Sequence, residues 1–368
     1  MKVDNLTAGV LDGTRHNFNA GPSILPGEVF EQASQAILNY NNSGLSILEI
    51  GHRTSLFQDI MDEARGLIRE LMQLDEDHEV LFLHGGASTQ FMQVPMNLLN
   101  EEETAAFSET GVWADKAIKE AKLFGNVDIV CGSKESNFSY IPKDFKVPGG
   151  AKYFHMTTNN TIHGTQWQKI PTVNVPIVAD MSSDILSRTL DFNSFDLIYA
   201  GAQKNIGAAG VNLVVVNKNV LGKVNRAIPT IMDYRNHIRE GSILNTPPVF
   251  AVYVCMLTLQ WLKKSGGIPA IEKLNNEKAA LLYNEIDNNH LFTTNVAKED
   301  RSKMNVCFVM KNKELETEFL SFTKEHGIVG IKGHRSAGGF RASLYNALPI
   351  SSVKFLVELM RDFALRYN

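Results

Sequence analysis

The run Leu213-Val214-Val215-Val216 restricts this chain's fold more than any other feature. Four consecutive apolar residues leave no polar face for water, so a strand formed there needs cover on both sides. Similar short runs occur at 80–83, 104–107, 127–130, 152–155, 175–179, 196–200 and 211–216. Between several of them lie helical patterns. Residues 56–74 carry apolar side chains at 60, 64, 67, 68, 71 and 72, one face of a helix, and 112–124 reads the same way. Strand–helix–strand alternation predicts an α/β fold with a mostly parallel sheet covered by helices. In such sheets ligands bind beyond the carboxyl ends of the strands.

A chain of 368 residues exceeds the size at which one core keeps growing, so two domains are expected. The helical pattern at 250–263 runs into Gly266-Gly267 and Pro269, a stop signal that sets the boundary. The large domain spans 16–266, and its first residues are expected to pack on the smaller one. The small C-terminal α/β domain spans 267–368. It comprises a charged helix at 269–287, an alternating strand at 304–310, a further helix and a closing helix at 353–366. Residues 1–15 form an N-terminal extension.

The net charge of −4 disfavours nucleic acid and anionic membrane as partners, so an anionic small substrate needs a local cationic pocket. Cys131, Cys255 and Cys307 are scattered and odd in number, with no metal-ligand spacing, as expected of packing residues in a reducing compartment. No metal site is expected. The first 14 residues lack an apolar signal core and no stretch is long enough to span a bilayer, so the expected location is the cytoplasm.

Lys204 lies in Ala200-Gly-Ala-Gln-Lys-Asn-Ile-Gly-Ala-Ala-Gly210, between two apolar strand candidates. Most lysines are solvated, yet a glycine- and alanine-rich loop between buried strands is poor ground for a surface charge. A buried, unpaired ammonium tends to lose its proton. A neutral lysine is what condensation with an aldehyde cofactor requires. Asp180 ends the run Val175-Pro-Ile-Val-Ala, 24 residues before Lys204, about one strand–helix–strand unit. It either caps a following helix with Ser182 or Ser183, or faces a pyridine nitrogen and keeps that ring protonated.

The segment Val80-Leu-Phe-Leu-His-Gly-Gly-Ala-Ser-Thr-Gln-Phe91 reads as strand, glycine turn and helix start. Amides at that terminus, with the hydroxyls of Ser88 and Thr89, suit a phosphate, although a plain turn capped by Ser88 has the same signature. The Walker and GxGxxG nucleotide patterns are absent from this turn. Trp113 opens the helix after the 104–107 strand, on the same rim, either as core packing or as a stacking face for a flat ring.

Taken together, Asn17-Phe-Asn-Ala-Gly-Pro-Ser-Ile-Leu-Pro26, Gly51-His-Arg53, Gly85-Gly-Ala-Ser-Thr-Gln-Phe91, Ala179-Asp-Met-Ser-Ser183, Ala200-Gly-Ala-Gln-Lys-Asn-Ile-Gly207, Asn245-Thr-Pro-Pro248, Lys332-Gly-His-Arg335 and Gly338-Gly-Phe-Arg-Ala-Ser343 resemble the phosphoserine aminotransferase family. That family belongs to the class V, fold-type I pyridoxal-phosphate enzymes. The resemblance runs from about His16 to the C-terminus. It implies pyridoxal 5'-phosphate on Lys204, with Asp180 at the pyridinium and Trp113 on the ring. Thr161 and Gln203 would bond the cofactor, and Ala87 and Ser88 would hold its phosphate. It also implies a homodimer in which Asn245 and Thr246 reach the partner subunit's cofactor phosphate. Arg53 would take an α-carboxylate, His52, His334 and Arg335 the substrate's phosphate, and Arg341 would sit near the carboxylate end. The implied reaction is ping-pong amino transfer between L-glutamate and 3-phosphohydroxypyruvate in serine synthesis. The resemblance further raises 4-phosphohydroxy-L-threonine, in pyridoxine synthesis, as a second substrate to be tested.

The cationic cluster has an independent rationale, because arginine grips carboxylate and phosphate bidentately where lysine cannot. His334 and Arg335 sit in a glycine-rich loop, the kind of segment that more often serves ligands. Two positions depart from the family pattern: His163 replaces an acidic or aromatic residue, and Ser88 stands where some members carry arginine. The alternatives on the same fold are a serine–glyoxylate aminotransferase and a cysteine desulfurase. The first has no need of the Lys332-Gly-His-Arg pocket. The second needs a reactive cysteine on a mobile loop, whereas Cys307 lies in a strand pattern and Cys255 in an apolar helix. A non-catalytic protein on the same scaffold is disfavoured because every expected cofactor residue type is present.

Overall fold

The computed structural model describes residues 15–367, so residues 1–14 of the expected N-terminal extension lie outside it. The described chain opens with strand β1 (His16–Asn17) and helices α1 (Gly27–Asn39) and α2 (Ser55–Met72). Strand β2 (His78–Leu83) leads into α3 (Gly86–Leu98), and β3 (Thr104–Glu109) into α4 (Val112–Ala121) and β4 (Asn126–Gly132). Strands β5 (Phe154–Thr157), β6 (Ile177–Asp180), β7 (Leu197–Gly201) and β8 (Asn212–Asn217) follow. Next come α5 (Tyr234–Arg239), α6 (Val249–Lys264) and α7 (Gly267–Asn288). The chain closes with β9 (Phe292–Thr293), β10 (Asn305–Met310), α8 (Glu316–Glu325), β11 (Ile328–Val329), β12 (Phe340–Ser343) and α9 (Ile350–Ala364).

The main sheet has seven strands in the order β2-β8-β7-β6-β5-β3-β4. Only β8 runs against its neighbours. Chain length explains this exception: residues 202–211 are too few for the crossover a parallel neighbour needs, so the chain must double back. Because β3, β5, β6 and β7 are parallel, their carboxyl ends form one rim. Asp180 is paired there with Thr157 on one side and Tyr199 on the other.

The helix expected between Asp180 and Lys204 does not form. Residues 181–196 are turns with a single 3-10 turn at Phe192–Ser194. Side chains take over the backbone groups that a helix would use. Asp180 Oδ1 accepts from Ser182 N at 2.9 Å, and the Ser187 hydroxyl donates to Asp184 O at 2.7 Å.

A second, three-stranded antiparallel sheet has the order β12-β10-β9, and β1 pairs with β11 in parallel. Three apolar clusters accompany the sheets among the described residues, the third joining the main sheet to α3 and α4 through Phe91, Ile118 and Tyr199. Helix α6 is buried nearly all round in the first. Helix α7 starts in the first cluster through Ile268 and Ile271, then continues in the second through Ala279, Leu282 and Ile286. Phe18, next to β1, also belongs to the second cluster. No helix among the described residues is long and apolar enough to cross a membrane.

Candidate functional site

Five chain segments meet at the carboxyl rim. Strand β6 delivers Asp180, the turn after β7 delivers Gln203 and Lys204, and the loop after β5 delivers Thr161. The first turn of α3 brings Ala87 and Ser88, and the start of α4 brings Trp113. All seven line one cavity of about 160 Å³, with Phe91, Asn159 and Ser183 completing the wall.

Within the cavity, Lys204 Nζ donates to Thr161 Oγ1 at 2.9 Å. Burial lowers the lysine pKa from 10.5 to about 8; Asp180 pulls it up, and Arg341 pushes it further down. Asp180 is 4% exposed, and burial raises its pKa while the Ser182 bonds and Lys204 oppose the rise. Both groups are thus driven towards their neutral forms. A buried carboxyl held, among the described residues, by Ser182 alone, through its backbone amide and its side chain, has room for a cationic partner. The indole Nε1 of Trp113 is buried without a partner among the described residues, and its ring lies 6.5 Å from that of Phe91. These residues fit pyridoxal phosphate, with the amine for the aldehyde, the carboxyl for the ring nitrogen and the indole for the ring face.

One end of the cavity is a glycine turn. Gly85 has φ +96°, and a Cβ there would collide with the side chain of Thr89. Asn212 Nδ2 pins the turn by donating to Gly86 O at 2.6 Å. Helix α3 then presents its first amides, with no acidic residue in its first turn.

The N-terminal strand passage closes the site from another side. A Cβ added at Gly21, whose φ is +138°, would stand 3.4 Å from Lys204 Cγ. Ser23 N donates to Gln203 O at 2.9 Å, and the Ser23 hydroxyl donates to Lys204 O.

Arg341, on β12, extends the site towards the second sheet. Its Nη1 donates to Thr161 O at 3.4 Å, while its Nε is buried without a partner. It also lines an adjoining cavity of about 260 Å³ with His163, Cys307, Gly333 and Gly338. His334 and Arg335 lie on the 333–338 loop that edges this cavity. Burial lowers the His334 pKa first, and Arg341, Arg335 and Lys116 lower it further, so positive charge is concentrated here. His52, Arg53, Asn245 and Thr246 line neither cavity. Thr246 is exposed, and its carbonyl is 2.7 Å from His84 Nε2.

Sequence reasoning did not single out Asn159, which joins the cleft to the second sheet. Its Nδ2 donates to Ser183 Oγ and to Asn305 Oδ1, both at 2.8 Å. The run Asn159-Asn160-Thr161 is only a polar loop in sequence, and nothing local separates the structural amide from a solvated one. All three cysteines have pKa values pushed up to about 12 by burial, which makes them unreactive. None of the three is thus the low-pKa thiol that a desulfurase uses.

Residues 15–356 match the family described as aminotransferase class-V. The chain is 58% identical to phosphoserine aminotransferase of Flavobacterium johnsoniae over 348 residues, covering 94% of this chain and 98% of that one. The chain belongs to the phosphoserine aminotransferase family of class-V aminotransferases. Within this family it is 54% identical to the Bacteroides thetaiotaomicron enzyme, over 95% of this chain and 98% of that one. Among solved structures, phosphoserine aminotransferase from Bacillus circulans subsp. alkalophilus superposes with a TM-score of 0.94 at 41% identity, covering 96% of this chain and 99% of that one. The pyridoxal-phosphate-bound enzyme from Trichomonas vaginalis gives 0.90 at 36% identity, covering 94% and 99%. As a member of this family, the chain is a fold-type I, pyridoxal-phosphate-dependent aminotransferase.

Proposed function

We propose that the chain catalyses reversible amino transfer between L-glutamate and 3-phosphohydroxypyruvate, yielding 2-oxoglutarate and O-phospho-L-serine. The observation that carries this reading is the cleft in which Lys204, Asp180 and Trp113 share one cavity beside Arg341. When bound, pyridoxal phosphate supplies an electron-withdrawing ring that stabilises charge developing at the substrate α-carbon. Asp180 holds the ring nitrogen protonated, an ion pair that a buried carboxyl strongly favours. Trp113 fixes the ring plane, and the α3 amides with Ser88 take the phosphate. Lys204 Nζ, whose pKa burial lowers to about 8, would take the proton from the substrate α-carbon and pass it to the aldehyde-derived carbon of the cofactor within one half of the exchange, and would run the same transfer in reverse in the other half. Thr161 orients that amine, and Gln203 bonds the cofactor.

Arg341 sits near the carboxylate end of the substrate, Arg53 takes the α-carboxylate, and His52, His334 and Arg335 take the substrate's phosphate. In this reading the working unit is a homodimer. His52, Arg53, Asn245 and Thr246, which line neither of the two cavities, complete the partner subunit's site, the last two at its cofactor phosphate. The unpaired cysteines suit a cytoplasmic setting.

A coupled assay decides the reading. Glutamate should react with phosphohydroxypyruvate at least about 100-fold more efficiently than with its unphosphorylated analogue, as expected where charged donors would be left unpaired. Equal efficiency would overturn the substrate assignment. In the same assay, Arg335→Ala should raise the KM for the phosphorylated acid about tenfold or more and leave that for glutamate unchanged.

A further inference from the structure

Lys278, in the middle of α7, is fully buried. Its Nζ donates to three backbone carbonyls, Tyr345 O at 2.8 Å, Leu344 O at 2.9 Å and Leu348 O at 3.2 Å. Three acceptors match the three N–H groups of an ammonium. A neutral amine would turn its lone pair on one of the carbonyls. The charge is therefore held by backbone dipoles.

The gripped loop touches both flanks of the reactive lysine. On one side Asn346 N donates to Asn205 Oδ1 at 3.0 Å, and Asn205 directly follows Lys204. Asn346 is itself fixed from α7, where Asn275 Nδ2 donates to its Oδ1 at 2.9 Å. On the other side the Tyr345 hydroxyl donates to Ala20 O at 2.9 Å, next to Gly21, which packs on Lys204 Cγ. One amine thus anchors a five-residue loop, and from that loop the Asn346 amide meets the Lys204 turn and the Tyr345 hydroxyl meets the strand passage beside it.

We propose that Lys278 is a positioning residue for the reaction: by clamping Leu344, Tyr345 and Leu348 it holds Asn346 and Tyr345 in place, and through them the turn that aims Lys204 into the cleft. This rests on the proposed function in one respect, that Lys204 is the reacting amine. Lys278 touches neither cleft nor substrate, so it acts only through the loop.

The test uses the full chain with Lys278→Met, which keeps the length of the side chain and removes its donors, and Asn205→Ala, which cuts the link and leaves the clamp. Hydrogen exchange without added cofactor is the first readout. Lys278→Met should speed exchange about tenfold or more at 203–206 and at 344–348 together, with the seven-stranded sheet unchanged. Asn205→Ala should speed exchange at 203–206 alone. The second readout is the visible band of the pyridoxal-phosphate-loaded chain. Its pH midpoint should shift by about half a unit or more in both variants, because the surroundings of Lys204 change. Faster exchange confined to 344–348, with an unmoved midpoint, overturns the proposal. If Lys278→Met fails to fold, Asn205→Ala decides alone, and an unmoved midpoint there sinks the clamp. A wild-type chain that takes up no cofactor overturns the proposed function, while the exchange comparison still decides the clamp.

Discussion

At Lys278 a buried amine meets three carbonyl oxygens, whereas at Lys204 it meets one hydroxyl and an open cavity. Burial pushes both pKa values down, to about 7 and about 8. The carbonyls around Lys278 oppose that fall, since they favour the charged form. Lys204 is helped by the charge of Asp180 across the cleft and hindered by Arg341. The difference shows that burial and a lowered pKa do not by themselves make a lysine reactive. What Lys204 has in addition is unspent hydrogen-bonding capacity, space in front of the amine, and an acid on the far side of that space.

Removing each amine in turn should separate these roles. The largest effect is expected for Lys204→Ala, which should lower transamination by on the order of 10⁴-fold without unfolding the protein, because the proton carrier is gone. Substantial turnover by this variant would make the two lysines equivalent. Next, Asp180→Asn should cost on the order of 10³-fold in turnover by removing the charge opposite the ring nitrogen. Stability should show the reverse pattern. Lys278→Met removes the buried donor shared by the carbonyls of Leu344, Tyr345 and Leu348 and should destabilise the fold by about 3 kcal/mol, measured by denaturant unfolding of the cofactor-free chain. Lys204→Met should change it by less than about 1 kcal/mol. If both substitutions cost the same, the contrast between clamp and reagent is wrong.

The smallest effect concerns pH. Because the folded-state pKa of Lys204 is lowered to about 8, its free-base fraction reaches half at that pH and is nearly complete about one unit above it. The rate at which cofactor-free protein acquires the visible band should therefore climb with a midpoint near pH 8 and level off by about pH 9. A rate still rising near pH 10, the range of an ordinary lysine, would mean that the amine is solvated.

The strands and the chemistry at their ends were legible in the sequence for a single reason. Short apolar runs mark buried strands, and in a parallel sheet their carboxyl ends share a rim, so Asp180, Lys204 and Trp113 could be placed together before any coordinates. The missing helix after Asp180 was not legible, because hydroxyl and carboxylate side chains between 180 and 187 take backbone partners that propensity ignores. Strand β1 is two residues long, below the length at which alternation can be read. Lys278 was invisible for a further reason. Along α7 it stands among Glu272, Lys273 and Glu277 as one more charge, and only the loop at 344–348, nearly seventy positions later, distinguishes it. Contacts at long sequence separation leave no local trace.

The most direct test of the central claim is to load the protein with pyridoxal phosphate, reduce it with borohydride, digest it and locate the label. It should lie on the peptide containing Lys204, with Lys278 unlabelled, and Asp180→Asn should weaken the visible band before reduction. Label on Lys278, or spread over exposed lysines with Lys204 unmodified, would contradict the assignment of the cleft.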